Sequence, residues 1–213
     1  MLDAIVWPLI RVGDFLRIGL TGGIGSGKSS VAKFMVNLGA SLVDADEVSK
    51  SMTGPDGPAI KFIRDVFGNE FLTSQRAMNR DRMRGEIFQN PTAKRKLESI
   101  LHPLIQSEII KQTQRFNLAG VSCVVLDIPL LMETSHWRSF VDAVCVVDCL
   151  ESTQIHRVME RNGLAEHMIK KVLSNQLSRQ NRLQGADIVL FNDGITMQQL
   201  ALEVKAIAPK IGL

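Results

Sequence analysis

The sequence predicts an α/β fold in which helices flank a five-stranded parallel sheet. Five short apolar runs alternate with segments of helical periodicity, the order typical of parallel strands joined by crossover helices. Two of the runs, Val121–Ile128 and Val141–Val147, are almost continuously apolar, as expected for strands that are buried on both faces. A glycine-rich turn joins the first run to the first helix, and this connection predicts a ligand site at one edge of the sheet.

The first strand, Arg17–Thr21, leads into Gly22–Ser29, which has the spacing G-x-x-x-x-G-K-[ST] of a phosphate-binding loop. Glycines let the backbone approach phosphate closely, and the N–H groups that open the next helix attract anions. The alternative, a glycine turn that binds nothing, is disfavoured by the strand and the helix on either side. We therefore predict nucleotide binding by eight residues: Gly23, Ile24, Gly25, Ser26, Gly27, Lys28, Ser29 and Ser30.

The next elements follow in the same alternating order. A helix is predicted over 28–38 and ends at Gly39, a short strand follows at Ala40–Val43, and the last strand is Asp187–Phe191. In parallel sheets, ligands bind beyond the carboxyl ends of the strands. Four acidic residues lie at or just past such ends and are expected to converge on the nucleotide: Asp46, Asp127, Glu133 and Asp148.

The remaining segments are predicted to be helical. Residues 50–117 are far longer than a minimal crossover and therefore indicate a helical insertion, within which Pro103 should kink or restart the helix. Two helices separated by Asn162-Gly163 follow the fourth strand. An amphipathic helix over 197–207 closes the chain.

Composition excludes several classes of protein. The chain has 213 residues, a net charge of +3 and no run of five or six Lys or Arg, so a nucleic-acid-binding stripe is disfavoured. The length suits one compact domain or a core with a small insertion. The cysteines are predicted to be buried thiols in a reducing compartment and neither disulfides nor metal ligands; they are Cys123, Cys145 and Cys149.

The phosphate loop alone does not separate kinases from GTPases, ATPases or nucleotide-dependent switches. The sequence has no Asn-Lys-x-Asp motif of the kind that reads guanine in GTPases, and its size favours a small-molecule kinase. In such a site Lys28 would supply a mobile charge to the outer phosphates, while Ser29 and Asp127 would hold Mg²⁺. Two alternatives remain: a kinase of another metabolite on the same core, and a binding module without phosphoryl transfer.

Three other side chains are candidates for the chemistry. Asp46 could deprotonate the acceptor hydroxyl, although helix capping explains an aspartate after a strand equally well. Arg157 and Arg161 are four residues apart and could reach phosphate together, but an ordinary solvated helix face is the alternative. For Asp127 the alternative to a metal-binding role is a capped turn before Pro129.

Further motifs follow the phosphate loop in a fixed order. They are Asp44-Ala45-Asp46, Ile87-Phe88, Leu101-His102-Pro103-Leu104-Ile105, Asp127–Glu133, Gln154–Arg161, Gln176, Arg179, Ala186-Asp187 and Asn192-Asp193-Gly194. Over residues 17–207 this set resembles the dephospho-coenzyme A kinase family, which consists of P-loop kinases of coenzyme A biosynthesis. The phosphate loop is common to many families, whereas the order of the other motifs is specific.

The resemblance implies transfer of the γ-phosphoryl group of ATP, with Mg²⁺, to the 3′-hydroxyl of the ribose in dephospho-CoA, giving CoA and ADP. It implies that Asp46 is the base and that Arg157 and Arg161 are lid arginines. The implied domains are a nucleotide-binding core (17–49, 118–150 and 183–213), a CoA-binding insertion (50–117) and a lid (151–182).

The family resemblance also implies a cytoplasmic enzyme without nucleic-acid or membrane partners, and we expect a monomer, with weak self-association as the alternative. Residues 1–16 form an N-terminal extension outside the family pattern. We expect either a packed arm or a start at Val12 or Leu16. Ser30 replaces a common threonine and Met132 a frequent phenylalanine, changes that keep the hydroxyl group and the apolar bulk.

Overall fold

The computed structural model describes residues 15–133 and 135–213. Except for its last two residues, the predicted N-terminal extension lies outside these ranges. The strands are β1 (Leu16–Gly22), β2 (Ser41–Asp44), β3 (Cys123–Asp127), β4 (Ala143–Asp148) and β5 (Ile188–Phe191). They form one five-stranded sheet in the order β2-β3-β1-β4-β5. The predicted α/β fold with a five-stranded parallel sheet is confirmed.

Helices surround and extend this sheet. They are α1 (Lys28–Asn37), α2 (Ala45–Thr53), α3 (Ile60–Phe67), α4 (Arg80–Gln89), α5 (Pro91–Leu118), α6 (Ser135–Phe140), α7 (Glu151–Asn162), α8 (Glu166–Ser174), α9 (Arg179–Gln184) and α10 (Met197–Ile207). Short 3₁₀ turns occupy Asn69–Phe71 and Ala208–Ile211. Among the described residues, no helix combines the length and the apolar character needed to cross a membrane.

The centre of the sheet is apolar because β1, β3 and β4 are covered on both faces. Every residue of β3 and β4 is buried, as their continuous apolar runs predict. On one face, α1 contributes Val31 and Met35 and α10 contributes Leu200 and Val204 to the core that covers the sheet. This packing fixes the start of α1, and therefore the phosphate loop, against the carboxyl end of β1.

Contacts divide the chain into two compact units. One contains the described residues up to Val43 together with Phe116–Leu213, and it holds the phosphate loop. The other, Asp44–Arg115, is helical and is built around its own buried side chains, among them Met52, Ile63 and Met83. The predicted assignment of this helical region to CoA binding stays a prediction.

Of the two alternatives predicted at Pro103, a restart near His102 is contradicted, and a kink stays a prediction. Helix α5 runs from Pro91 to Leu118 with Pro103 inside it. A proline removes one backbone hydrogen bond and disfavours helical geometry just before it, but it does not compel a break. Leu97 and Ile109 are buried on either side of it, and this packing keeps the helix continuous.

Candidate active site

The phosphate loop connects the carboxyl end of β1 to the first turn of α1. Gly25 and Gly27 have φ angles of 75° and 95°, which glycine adopts without the steric cost that a side chain would bring. A Cβ added at Gly25 would also lie 2.8 Å from the carbonyl oxygen of Gln154. Backbone conformation therefore requires both glycines, and the close approach of α7 additionally requires the one at position 25.

The amide groups of the loop divide into two sets. Ser26 N–H donates to the carbonyl oxygen of Gly23 at 3.1 Å and Ser30 N–H to that of Gly27 at 3.0 Å. Among the described residues, no acceptor is found for the N–H groups of Gly25, Gly27, Lys28 and Ser29. Free amides at a helix start, together with the positive end of the helix dipole, bind anions. The loop thus has the donors that a polyphosphate requires.

Lys28 forms an ion pair with Asp127, the last residue of β3. The two side chains are only 18% and 8% exposed, so their charges interact in an environment with little water. The parallel register places Leu20 of β1 beside Asp127 of β3, and this neighbour relation brings the acid next to the loop. The sequence predicted a functional role for each residue separately, and the structure brings the two side chains into contact.

The donor set suits a hard cation. Ser29 offers an exposed hydroxyl group in the first turn of α1, and Asp127 offers carboxylate oxygens. Mg²⁺ prefers oxygen ligands and is usually held by one or two protein groups together with substrate phosphates. In the part of the chain that the structure describes, no cluster of His, Cys, Asp and Glu could hold a metal by itself. The residues present therefore fit a cation that arrives with a nucleotide, while their role as ligands stays a prediction.

The outer side of the loop is held by side chains from three later segments. Asn192, which follows β5, donates from Nδ2 to the carbonyl oxygen of Ser26 at 2.7 Å. Arg157 of α7 approaches the carbonyl oxygens of Gly25 and Ser26, each at 3.4 Å from Nη1. Ile24 N–H donates to the Oε1 atom of Gln176 at 3.1 Å. The Arg157 and Gln176 contacts tie the loop to the region predicted to be the lid, whereas Asn192 belongs to the predicted nucleotide-binding core.

The two predicted lid arginines lie in different surroundings. Arg157 is half-buried and contacts the loop carbonyls, whereas Arg161, one turn further along α7, is exposed. The Nε atom of Arg161 donates to the Oδ1 atom of Asn162 at 2.9 Å. The structure therefore places Arg157 at the phosphate loop and leaves Arg161 on the surface of α7. Their catalytic roles stay predictions.

The D-x-D segment spans the end of β2 and the start of α2. Strand β2 ends at Asp44, whose Oδ1 atom accepts N–H bonds from Asp46 and Glu47 at 2.8 and 3.1 Å and so caps α2. Asp46 lies in the first turn of α2 and is exposed. The capping role considered for Asp46 is therefore held by Asp44, and the role of Asp46 as a base stays a prediction.

The other two predicted strand-end acids have partners within the protein. Asp148 is buried and accepts hydrogen bonds from Arg179, with distances of 2.6–3.0 Å. This bonding holds the pKa of the Arg179 guanidinium above its ordinary value. Glu133 accepts the N–H of Leu177 at 3.1 Å. Both carboxylates therefore hold the segment around α9 in place, a contact that the sequence analysis did not predict.

A sequence model of the dephospho-CoA kinase family matches residues 16–198. This chain belongs to the dephospho-CoA kinase family. A dephospho-CoA kinase from Albidiferax ferrireducens is 48% identical over 198 residues, which cover 93% of each chain. Another from Bordetella pertussis is 45% identical over 180 residues, or 84% of this chain and 83% of that protein.

A solved structure of a dephospho-CoA kinase from Campylobacter jejuni has a TM-score of 0.71 at 22% identity, covering 92% of this chain and 96% of that one. At that identity the likeness supports the fold alone. The family predicted from the order of the motifs is confirmed by the sequence comparisons. Family membership agrees with a phosphate loop whose amides and lysine lie at the carboxyl edge of the sheet.

Sequence reasoning missed Asn192 and Gln176 as residues that hold the loop. In the sequence, Asn192 and Gln176 were both noted as residues of the family resemblance, with no role at the loop. The rule that ligands bind beyond strand ends applies to β5 as it does to the other strands, and it would have drawn attention to Asn192. No local pattern marks Gln176, because its contact spans 152 positions of sequence.

Proposed function

We propose that this chain transfers the γ-phosphoryl group of ATP to the 3′-hydroxyl of the ribose in dephospho-CoA, giving CoA and ADP. The observation that carries the proposal is the joint occurrence of the family match over residues 16–198 and a complete phosphate loop whose lysine pairs with Asp127. The match spans nearly the whole of both units and is not confined to the nucleotide-binding loop.

In this proposal the loop amides and Lys28 bind the β- and γ-phosphates of ATP. Charge on the transferred group shifts in the transition state, so donors fixed in advance stabilise that state more than they stabilise the substrate. When ATP binds, Lys28 gives up part of its ion pair with Asp127 and interacts with phosphate oxygens instead. Arg157 and Arg161 supply further positive charge, and a positioned arginine of this kind is worth about 10³–10⁵ in rate.

Ser29 and Asp127 are proposed to hold Mg²⁺ together with the phosphates. The ion would neutralise charge on the β- and γ-phosphates. The chain's own contribution is to provide a hydroxyl group at the start of α1 and a carboxylate at the end of β3, both on rigid elements. Ion pairing with Lys28 keeps the Asp127 carboxylate oriented.

Asp46 is proposed as the general base that accepts the proton of the 3′-hydroxyl. It follows the carboxyl end of β2 by two residues and its carboxylate is exposed, so a substrate hydroxyl group can approach it. Asp44 fixes the first turn of α2 and thereby the backbone that carries Asp46. Residues 50–117 would bind the CoA part of the acceptor, and 151–182 would close over the nucleotide. We infer a cytoplasmic monomer.

A coupled assay of ADP formation tests the activity. ADP should form from ATP and Mg²⁺ only when dephospho-CoA is added, and mass spectrometry should detect CoA. Lys28→Ala should lower kcat/KM by about 10²–10³-fold, the cost of losing one preorganised charge donor. Lys33→Ala, which changes an exposed lysine on the same helix, should leave kcat/KM unchanged.

Two outcomes would contradict the proposal. If folded protein forms ADP at the same rate with and without dephospho-CoA, then dephospho-CoA is not the acceptor substrate. A panel of nucleosides and sugars would then identify another acceptor. Equal kcat/KM for Lys28→Ala and Lys33→Ala would show that the phosphate loop does not serve phosphoryl transfer.

A further inference from the structure

We propose that Asn192 is a positioning residue of the phosphate loop, which orients the Gly27 amide toward phosphate by holding the Ser26 carbonyl on the opposite side. The inference rests on the proposed kinase function. Asn192 follows β5 directly and is only 4% exposed. Its backbone N–H donates to the carbonyl oxygen of Asp148 at 2.7 Å, so the end of β4 anchors the residue.

The geometry of the peptide bond links Asn192 to the Gly27 amide. No cis peptide bond occurs among the described residues, so the Ser26 C=O and the Gly27 N–H point in opposite directions from one planar unit. The Nδ2 atom of Asn192 holds that C=O at 2.7 Å. The Gly27 N–H therefore faces away from Asn192, and among the described residues it finds no acceptor.

Gly27 and Asn192 are also matched in shape. Gly27 has a φ angle of 95°, and the side-chain amide of Asn192 occupies the place where a Cβ atom of residue 27 would lie. The glycine thus admits the asparagine to the loop, and the asparagine fixes a peptide that a glycine alone would leave free to rotate. This pairing explains why a buried polar side chain follows the last strand.

Arg157 contacts the same carbonyl but cannot replace Asn192. Its Nη1 atom lies 3.4 Å from the Ser26 oxygen, beyond the usual range of N–H···O bonds, whereas the Asn192 bond is short. Because Asn192 holds the carbonyl by itself, Arg157 can turn to phosphate while the loop keeps its shape. In this proposal Asn192 maintains the conformation of the phosphate loop, and Arg157 provides a mobile positive charge.

Asn192→Asp tests the inference because it keeps the side-chain shape and makes the hydrogen bond depend on protonation. A protonated carboxyl group can donate to the Ser26 carbonyl, whereas a carboxylate cannot and repels it. The charged groups nearest this position are Arg157 of α7, Asp148 at the end of β4 and the adjacent Asp193. Arg179 already pairs with Asp148, and burial raises the pKa of a carboxyl group.

The measurement is the Kd of ADP by calorimetry between pH 5.5 and 9, for the unchanged chain, for Asn192→Asp and for Asn37→Asp. Asn37 is exposed at the end of α1, so it controls for the added charge. At the alkaline end, Asn192→Asp should bind ADP about 10-fold or more weakly than the unchanged chain, the size expected when a buried carbonyl loses its partner. The ratio of the two Kd values should fall toward one as the pH falls.

A ratio near one at the alkaline end would overturn the inference, because the Asn192→Asp variant would then bind ADP normally without a donor to the Ser26 carbonyl. In steady-state assays, the KM for ATP should rise while the KM for dephospho-CoA stays the same, and equal rises in both would also overturn it. If Asn192→Asp unfolds at alkaline pH, Asn192→Ala should show a smaller ADP-induced rise in Tm than the unchanged chain. An equal rise would exclude the proposed role.

The ADP measurements need no acceptor substrate, so the two proposals can fail separately. An unchanged chain that binds ADP but forms no CoA would contradict the proposed function, while the Kd ratios would still decide the role of Asn192. An unchanged chain that does not bind ADP would overturn both.

Discussion

Single side chains from distant parts of the sequence determine which way the phosphate loop faces. Asn192, Gln176 and Arg157 bond its outer side, while amides such as that of Gly27 have no acceptor among the described residues. Preorganised donors of this kind need not reorganise when charge develops, which is the main source of their catalytic effect.

Asp46→Asn should leave ATP affinity within about twofold and lower kcat by about 10²–10⁴-fold, the usual contribution of a general base. The amide keeps the size of the side chain, and Asp44 still caps the helix. Rapid-quench measurement of CoA formation gives the rate of the chemical step. Glu47→Gln, which removes a neighbouring exposed carboxylate, is the matched control, and equal rates in the two variants would remove Asp46 from the role of base.

At the scale of elements, α10 illustrates how local sequence secures a helix that covers the core. Thr196 Oγ1 accepts the N–H of Gln199 at 3.2 Å, and Gln199 Oε1 accepts the N–H of Thr196 at 2.8 Å. These reciprocal bonds form a capping box, and Leu200 and Val204 then bury one face of the helix. The cap lies outside the groups assigned to catalysis, so its effect on stability can be measured separately.

Thr196→Ala should lower the free energy of unfolding by about 0.5–2 kcal/mol because the cap bond is lost. For a chain of this size that corresponds to roughly 2–4 °C in Tm for each kcal/mol. Urea unfolding and a thermal scan measure the two quantities. Thr196→Ser keeps the hydroxyl group and should retain most of the stability, while kcat should be the same in both variants. Equal stability of the alanine and serine variants would show that the cap bond contributes little.

The proposed lid, residues 151–182, should become resistant to proteolysis when both substrates are bound, because phosphoryl transfer requires exclusion of water. Trypsin can cut after Arg161, Lys170 and Lys171, all of which are exposed. Cleavage there should slow with dephospho-CoA and a non-hydrolysable ATP analogue together. Cleavage after Lys210, also exposed, is the control for trypsin activity. Identical cleavage rates with and without the two ligands would contradict lid closure.

At the scale of the whole molecule, three buried cysteine thiols have a higher pKa in the folded protein than in the unfolded chain. Burial raises the pKa of Cys123 and of Cys145 to about 12, and that of Cys149 to about 11. In the unfolded chain a thiol has a pKa of about 8.5. Above that pH the unfolded state binds fewer protons than the folded state, so stability falls as the pH rises.

The free energy of unfolding should fall by up to about 1.4 kcal/mol per pH unit for each thiol. Urea unfolding under reducing conditions between pH 9 and 10 measures this fall. The chain has no tyrosine, which would otherwise titrate nearby. Cys145→Ala should reduce the slope of the free energy of unfolding against pH by the contribution of one thiol. Val146→Ala, which removes apolar volume from the same strand, should lower stability at every pH without changing the slope. An unchanged slope in Cys145→Ala would contradict a protonated buried thiol.

Local patterns were sufficient to predict the sheet and the phosphate loop. The five strands lie close to the predicted apolar runs, and the signal is clearest for β3 and β4, which are buried throughout. At Pro103 the sequence predicted a kink or a restart of the helix, and the restart was wrong, because packing on either side of the proline outweighs its local preference. Strand β2 ends at Asp44 because the side chain of Asp44 accepts hydrogen bonds from the amides that open α2.

The sequence by itself was enough to predict a polyphosphate site beyond β1, because the glycines, Lys28 and Ser29 act through backbone conformation and charge encoded within eight consecutive residues. Only the tertiary structure decided how that loop is held. Asn192 reaches Ser26 across 166 positions because parallel strands bring their carboxyl ends to one edge, whereas Gln176 reaches Ile24 across 152 positions from the segment between α8 and α9. Such contacts depend on tertiary packing, and no local periodicity in the sequence predicts them.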